Sequence, residues 1–350
     1  MRRAAVLLAT LSLAGCGSIG PETVNRDRIQ YVSAISDSWK RQMLLNLVRV
    51  RYGDVPVFLD VTSVINAYSL DQIVRAEAEA APPNRGDTYL QFGGSLQYSD
   101  KPTITYVPLT GDKFARSIMS PIPVPSVLLL LQSGYPADLV LRFCVNSVNG
   151  VENSHGGLVP NAGHPEFAEL LQLLREAQRD GLLGFEARTE TGRSRTLIQL
   201  RTPADGVLAA RQQRLRDLLR LRKDAAEYDV GYGSFPRGDI EIAMLTRSIL
   251  QVMIDVGSYL DTPAVDVEQG RVVAPRQEPE GRGLATPVRV RTGDAAPQDS
   301  FVSVAYRGHW FWIDDRDLQS KAAFSFLMLL FSLTETSGTQ TAPLITVPAR

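Results

Sequence analysis

Apolar residues recur at three- and four-residue steps from Ile29 through Ile35, Trp39, Met43 and Leu47 to Val50, with Val32 in the same series. That spacing draws one stripe along an amphipathic helix through Arg51, which Gly53 brings to an end. The other face carries Arg28, Lys40, Arg41 and Arg49, and Asp37 stands one turn from Arg41. Beyond Gly53 the period shortens. Val55 to Tyr68 and Ile73-Val74 are β-branched and apolar, a strand from about Pro56 that is long or broken. A loop at Pro82 to Asp87 follows. Residues 89–98 and 103–107 then read as a hairpin turning at Ser99-Asp100-Lys101-Pro102, with Gly93-Gly94 as a bulge or a close backbone approach.

From Thr110 to Met119 the pattern is that of a short helix. Pro121, Pro123 and Pro125 force an extended piece, and Ser126 to Ser133 reads as a core helix closed by Gly134. Ala137 to Val151 reads as strand, centred on Leu139-Val140-Leu141-Arg142-Phe143-Cys144-Val145, and Asn153 to Gly163 as a glycine- and asparagine-rich loop. A helix from Pro165 to about Asp180 and a hairpin of 184–190 with 195–201 come next. Thr202, with Pro203 in the first turn, opens a basic helix to about Ala226 that carries Arg211, Arg214, Arg216, Arg220, Arg222 and Lys223. Tyr228 to Tyr232 reads as a short strand and 233–238 as a tight loop. Asp239 caps a helix to about Leu260, buried along Ile242, Leu245, Ile249, Val252, Met253 and Val256. Residues 262–286, with Pro263, Pro275 and Pro279, read as a mobile loop. Strands at 288–291, 301–306 and 310–313 precede a last helix over 316–333 capped by Asp314 or Asp315, and Leu344 to Val347 adds a terminal strand.

This order predicts an α+β fold, with mixed or antiparallel sheets covered by helices, in two lobes: residues 26–155, and residues 156–350 with the mobile loop. No repeat of fixed period is present. The chain has 350 residues, 44% hydrophobic and 21% charged, enough to bury a core and too polar for an integral membrane protein. Its formal net charge of −1 argues against nucleic acid as a partner.

The first residues change the picture. Met1, Arg2 and Arg3 precede an apolar run from Ala4 to Leu13, the outline of a secretory signal peptide, too short to span a bilayer. The run ends in Leu13-Ala14-Gly15-Cys16, which resembles the lipobox of bacterial lipoproteins. The resemblance covers only the start of the chain. It implies cleavage before Cys16, a diacylglycerol on the Cys16 sulfur and acylation of the freed amine, so that residues 1–15 are a signal peptide and 16–25 a tether. Two or more acyl chains anchor stably where one does not. Gly17 follows the cysteine, where an aspartate would imply inner-membrane retention in enteric-type bacteria; in a cell with two membranes the outer one, facing the periplasm, is expected. The alternative to the resemblance is that Cys16 is simply a small residue in a non-lipoprotein signal, or that the run is a buried core segment. With Cys16 acylated, Cys144 is left alone, and no intramolecular disulfide forms.

Candidate chemistry is sparse. His155, His164 and Glu166 match no metal-ligand spacing, and Ser154-His155 lacks a nucleophile elbow. Gly231-Tyr232-Gly233-Ser234 lacks the third glycine of a dinucleotide fingerprint. Asp314, Asp315 and Asp317 around Arg316 fit helix capping better than a calcium loop. No catalytic residue, cofactor or metal is therefore expected. The most aromatic spot is His309-Trp310-Phe311-Trp312, where alternation sets Trp310 and Trp312 on one strand face and His309, Phe311 and Ile313 on the other; the tryptophan face is either a second core or a partner surface. The expectation is a lipid-anchored envelope accessory that binds protein partners and is not an enzyme. A lipid or small-ligand carrier would instead need a deep apolar pocket. A hydrolase would need a buried polar constellation around His155, His164 or His309.

Overall fold

Helix α1 runs from Gly20 to Arg51 and stops at Gly53, whose φ of +77° is open to glycine at little cost. The structure, a computed structural model, describes residues 20–65, 68–79, 89–100, 103–157, 159–190, 193–203, 205–277 and 287–335. Cys16, the Pro82 to Asp87 loop and the expected strand at Leu344 to Val347 lie outside them. The tether expected over 16–25 is helical from Gly20 on, because Pro21 sits in the first turn, where a missing N–H costs nothing. Only part of the α1 stripe is used: Met43, Leu44, Leu47 and Val48 are fully buried, whereas Ile29 and Val32 are 69% and 61% exposed.

The chain is α+β and divides into two compact units, Met1–Pro56 with Gly111–Arg350, and Val57–Thr110. The smaller unit is a two-stranded ribbon. Strand β1 (Phe58–Ile65) pairs antiparallel with β4 (Thr103–Leu109), and β2 (Tyr68–Glu79) with β3 (Tyr89–Asp100). Tyr68 faces Asp100 and Ile65 faces Thr103, so the two ladders share one register. The hairpin expected between 89–98 and 103–107 therefore does not form. Ser99 to Pro102 contains no glycine or asparagine to supply the positive φ angles of a tight hairpin turn, and both segments pair with upstream strands instead. Nor do Gly93 and Gly94 make a bulge; they face Arg75 and Val74 in an unbroken ladder, and the register slips only between Val61 and Ser63.

The larger unit begins its second half-turn of chain with α2 (Gly111–Met119), α3 (Val124–Gln132) and α4 (Ala137–Cys144). Residues 137–144 were expected as strand. Ala137, Val140, Leu141 and Cys144 are buried at helical spacing, and Pro136 at the N-cap starts the turn, so the apolar run is a helix. A six-stranded mixed sheet follows, built from β5 (Val145–Val148), β6 (Val151–Glu152), β7 (Leu183–Glu190), β8 (Arg193–Leu200), β9 (Glu227–Tyr232) and β10 (Glu241–Thr246). Its order is β6-β5-β10-β9-β8-β7, with only β9 and β10 parallel. The sheet takes strands from both sides of residue 155, where the sequence pattern placed the division between lobes; β5 bonds to β10 and so ties the two stretches together.

Helices α5 (Pro165–Arg179) and α6 (Gly206–Leu219) pack on each other beside the β7–β8 hairpin. Helix α6 is shorter than expected at both ends. Asp205, not Thr202, caps it by accepting from Leu208 N at 2.8 Å, and Arg220 ends it in the left-handed region at φ +53°. The helix expected from Asp239 to Leu260 is instead a strand and a helix: β10, then α7 (Ile249–Ser258), which opens on a capping box between Ser248 and Gln251. Ile242, Ala243 and Met244 are consecutive and all buried, as on a central strand covered on both faces, and that run hides the period of two.

Residues 262–277, expected as part of a mobile loop, are ordered around α8 (Ala264–Glu268). Arg276 N donates to Ser258 O at 2.8 Å, and Arg51 donates to Ala274 O at 2.9 Å. A three-stranded sheet, β11 (Arg291–Gly293), β12 (Ser300–Tyr306) and β13 (His309–Asp314) in the order β11-β13-β12, precedes α9 (Leu318–Glu335). Asp317 caps α9 through Ser320 N at 3.0 Å, while Asp314 takes Arg316 N and Asp315 takes Lys321, so neither aspartate expected as the cap fills that role. Among the described residues no helix is long and apolar enough to cross a membrane.

Candidate interaction surfaces

Alternation along β13 decides which aromatic residues are available. Phe311 and Ile313 are fully buried with Val302 and Val304 opposite them, so that face belongs to the core. Trp310 and Trp312 lie on the outer face and are half-buried. Their cross-strand neighbours are small or long and flexible: Gly293 and Ala305 flank Trp310, and Arg291 and Ser303 flank Trp312. A Cβ at Gly293 would sit 3.2 Å from the Trp312 ring, so the missing side chain gives the indole its room. Arg291 pairs with Asp314 at 3.4 Å at the margin of the same face. Aromatic residues with polar neighbours at the edge are what protein partners dock on.

A second surface arises from the parallel pair. Parallel neighbours normally need a dozen or more residues to cross over, yet only residues 233–240 join β9 to β10. The chain returns by a tight path, and an open groove of about 770 Å³ forms between this crossover, strands β8 to β10 and the Pro121 to Pro125 segment. Arg195 paired with Asp229, and Arg237 with Glu241 at 3.8 Å, line it. Phe235 lies over Gly150, where a Cβ would meet its ring at 3.3 Å, and is still 78% exposed. The lining is mixed, charged pairs beside proline and isoleucine.

The most deeply buried ion pairs among the described residues are held in structural bonds. Arg247, 1% exposed, donates to Asp255 Oδ2 at 3.1 Å, Asn146 Oδ1 at 2.9 Å, Ser154 O at 2.7 Å and Arg142 O at 3.2 Å. Asp255 Oδ1 also accepts from Gly156 N at 2.7 Å and Arg276 at 3.3 Å. Tyr52 OH donates to Asp266 at 2.7 Å, which with Arg271 at 3.0 Å holds that carboxyl below the usual range; burial, then the same bond, pushes the tyrosine up. Arg307 stacks on Tyr52 and Tyr306 and pairs with Asp54.

His155 Nδ1 contacts Gly156 O at 3.2 Å, while His164 Nδ1 accepts from Glu152 N at 3.3 Å, so both order the 153–163 loop; His309 lies 3.9 Å from Asp294. No group of three His, Cys, Asp or Glu placed to hold a metal occurs among the described residues. Comparison with family models, curated proteins and solved structures returned no match to this chain.

The remaining sequence candidates resolve simply. Cys144 ends α4 fully buried, and burial pushes its thiol up to about 12, the opposite of an activated nucleophile. The basic helix α6 is met by acids from α5: Arg214 grips Glu169 through two bonds at 2.7 and 2.8 Å, and Arg211 lies 3.4 Å from Glu176. Arg216 turns inward to Tyr228 and Gln212.

What sequence reading missed is the ribbon. Its two ladders are two-stranded sheets in their own right, and no other described strand pairs with their outer edges. The signal was present in the alternation of 68–79 and 89–100, hidden by pairing 89–98 with the wrong partner.

Proposed function

We propose that the chain is a lipid-anchored component of a bacterial cell envelope, attached through Cys16 and working by assembly with other envelope components rather than by catalysis. In a cell with two membranes it belongs on the outer one, facing the periplasm. The anchor rests on the lipobox resemblance of Leu13 to Cys16. The assembly role rests on the ribbon of β1 to β4, a pair of two-stranded ladders that no further described strand extends. An isolated two-stranded ribbon is marginal in water, and an open edge is a template for another strand. The outer face of Trp310 and Trp312 offers a further contact.

The test is isolation of the full chain from detergent-solubilised envelopes. A discrete multimer or a stoichiometric protein partner is the expected result. A protein that runs as a monomer with bound lipid would overturn the reading in favour of a carrier. For the anchor, Cys16→Ser should abolish lipid labelling and leave the precursor uncut; unchanged labelling and processing would refute it.

A further inference from the structure

The register of β2 with β3 divides their residues into two unlike faces. One face takes Tyr68, Leu70, Gln72, Val74, Ala76 and Ala78 from β2. Directly opposite, and so on the same face, stand Leu90, Phe92, Gly94, Leu96 and Tyr98 of β3, with Asp100 only at the end beside Tyr68. Every charged residue of β2, namely Asp71, Arg75, Glu77 and Glu79, is on the other face, and β3 has none before Asp100. Gln72 is the one polar residue among the apolar set over 70–98, and it carries no charge.

Period-two alternation, with Tyr68 and Tyr98 at one end of the apolar face and the charges of β2 confined to the other face, fits the pattern of a membrane-spanning barrel strand. The lengths agree. A strand crossing a bilayer at a tilt needs about 9–11 residues, and β2 and β3 each have 12. At about 3.4 Å per residue such a strand is roughly 40 Å long, which a tilt of about 45° brings close to the apolar band of about 25 Å. A segment this short leaves little mark on composition averaged over the whole chain.

We infer that β2 and β3 cross a lipid bilayer as one hairpin of a β-barrel closed by further copies of this chain. No further described strand pairs with the outer edges of β2 and β3, and in hydrocarbon only a closed barrel satisfies every backbone group. One chain supplies two strands and the smallest barrels have roughly eight, so roughly four copies or more close the ring. Identical hairpins placed head to tail around one axis achieve this with a single repeated contact. The apolar face then meets lipid and the charged face lines water. Asp71, Glu77 and Glu79 outnumber Arg75 there, so the lumen is acidic and favours cations. This inference deepens the assembly reading and rests on it.

The full chain, with Cys16 intact and Cys144→Ala to remove the other thiol, is placed in phosphatidylethanolamine–phosphatidylglycerol vesicles. Leu70→Cys, Val74→Cys and Leu96→Cys are compared with Asp71→Cys, Arg75→Cys and Gln97→Cys, each carrying a nitroxide. The first three are expected to be reached by dissolved oxygen and shielded from a water-soluble nickel chelate, with a ratio severalfold higher than the second three. Equal access of the chelate to both sets would place the ribbon in water. Exclusion of both reagents from the first set would mean that protein covers that face; either result overturns the proposal. Val74→Asp is expected to abolish the detergent-resistant multimer and Arg75→Asp to preserve it, with unaltered tryptophan fluorescence showing that the larger unit still folds; loss or retention in both would count against it. Palmitate labelling of Cys16 in the same samples keeps the two readings apart. Labelling without alternation removes the barrel alone, and alternation without labelling removes the anchor alone.

Discussion

Replacing Arg247 by methionine tests whether the buried ion cluster holds the larger unit together. The guanidinium reaches the end of α4 at Arg142 O, strand β5 at Asn146, the following loop at Ser154 O and helix α7 at Asp255. Methionine fills much of the volume and makes none of these bonds. Asp255 would keep Gly156 N and Arg276, which is 15% exposed and 3.3 Å away, so its charge is not wholly abandoned. Breaking one side of a buried pair costs about 3–5 kcal/mol, and the residual support from Arg276 sets the expectation at the lower end, about 3 kcal/mol. Against a total of roughly 5–15 kcal/mol this is a large fraction. Urea unfolding followed by tryptophan fluorescence measures it cleanly, because Trp39, Trp310 and Trp312 are the only tryptophans and all belong to the larger unit. Adding Asp255→Asn should cost less on the Arg247→Met background than on the native one, with a coupling of about 1–3 kcal/mol. A loss below about 1 kcal/mol for the single change, or strict additivity, would refute the account of the cluster as a clamp.

Three further outcomes follow from the packing. Gly156→Ala should be among the worst single changes in the chain, since its Cβ would lie 2.1 Å from Ser258 Oγ and 2.3 Å from Ser258 Cβ; Ser258→Gly in the same chain should recover part of the loss in thermal unfolding. Cys144 is raised to about 12 by burial, so the stability tied to its neutral form is intact below the unfolded value near 9 and is lost as pH rises towards 12. At about 1.36 kcal/mol per unit that contribution is at most about 4 kcal/mol, and Cys144→Ala should flatten the alkaline limb of a stability–pH curve. Asp266 is held low, first by the Tyr52 hydroxyl, so its contribution is present above about pH 4 and disappears as pH falls through its folded value. Tyr52→Phe should therefore cost about 1–3 kcal/mol at neutral pH and make the acid limb shallower, and an acid limb identical to the native one would contradict the assignment.

The parts of the fold that sequence reading recovered are those decided locally. The stop at Gly53, the β7–β8 hairpin, the Arg307-Gly308 turn and the two faces of β13 each follow from a few adjacent residues. The failures have two causes. Residues 137–144 and 241–246 are short apolar runs buried on more than one side, where helix and strand periods look alike until the neighbours are known. The ribbon failed for a different reason: residue 58 pairs with residue 109, and no local turn signal marks a contact across such a span. The tryptophan face was accordingly visible in the sequence and the ribbon faces were not, although both rest on the same alternation.

The bond between β5 and β10 has a bearing on the order in which the polypeptide can close. Val148 meets Val151 at once, but its partner on β10, Met244, comes far along the chain, and α1 waits longer still, for α7 and β12 to lie against it. The larger unit of a nascent chain thus has no early half that can close by itself. Closure of that unit waits for β10, α7 and β12 to be made.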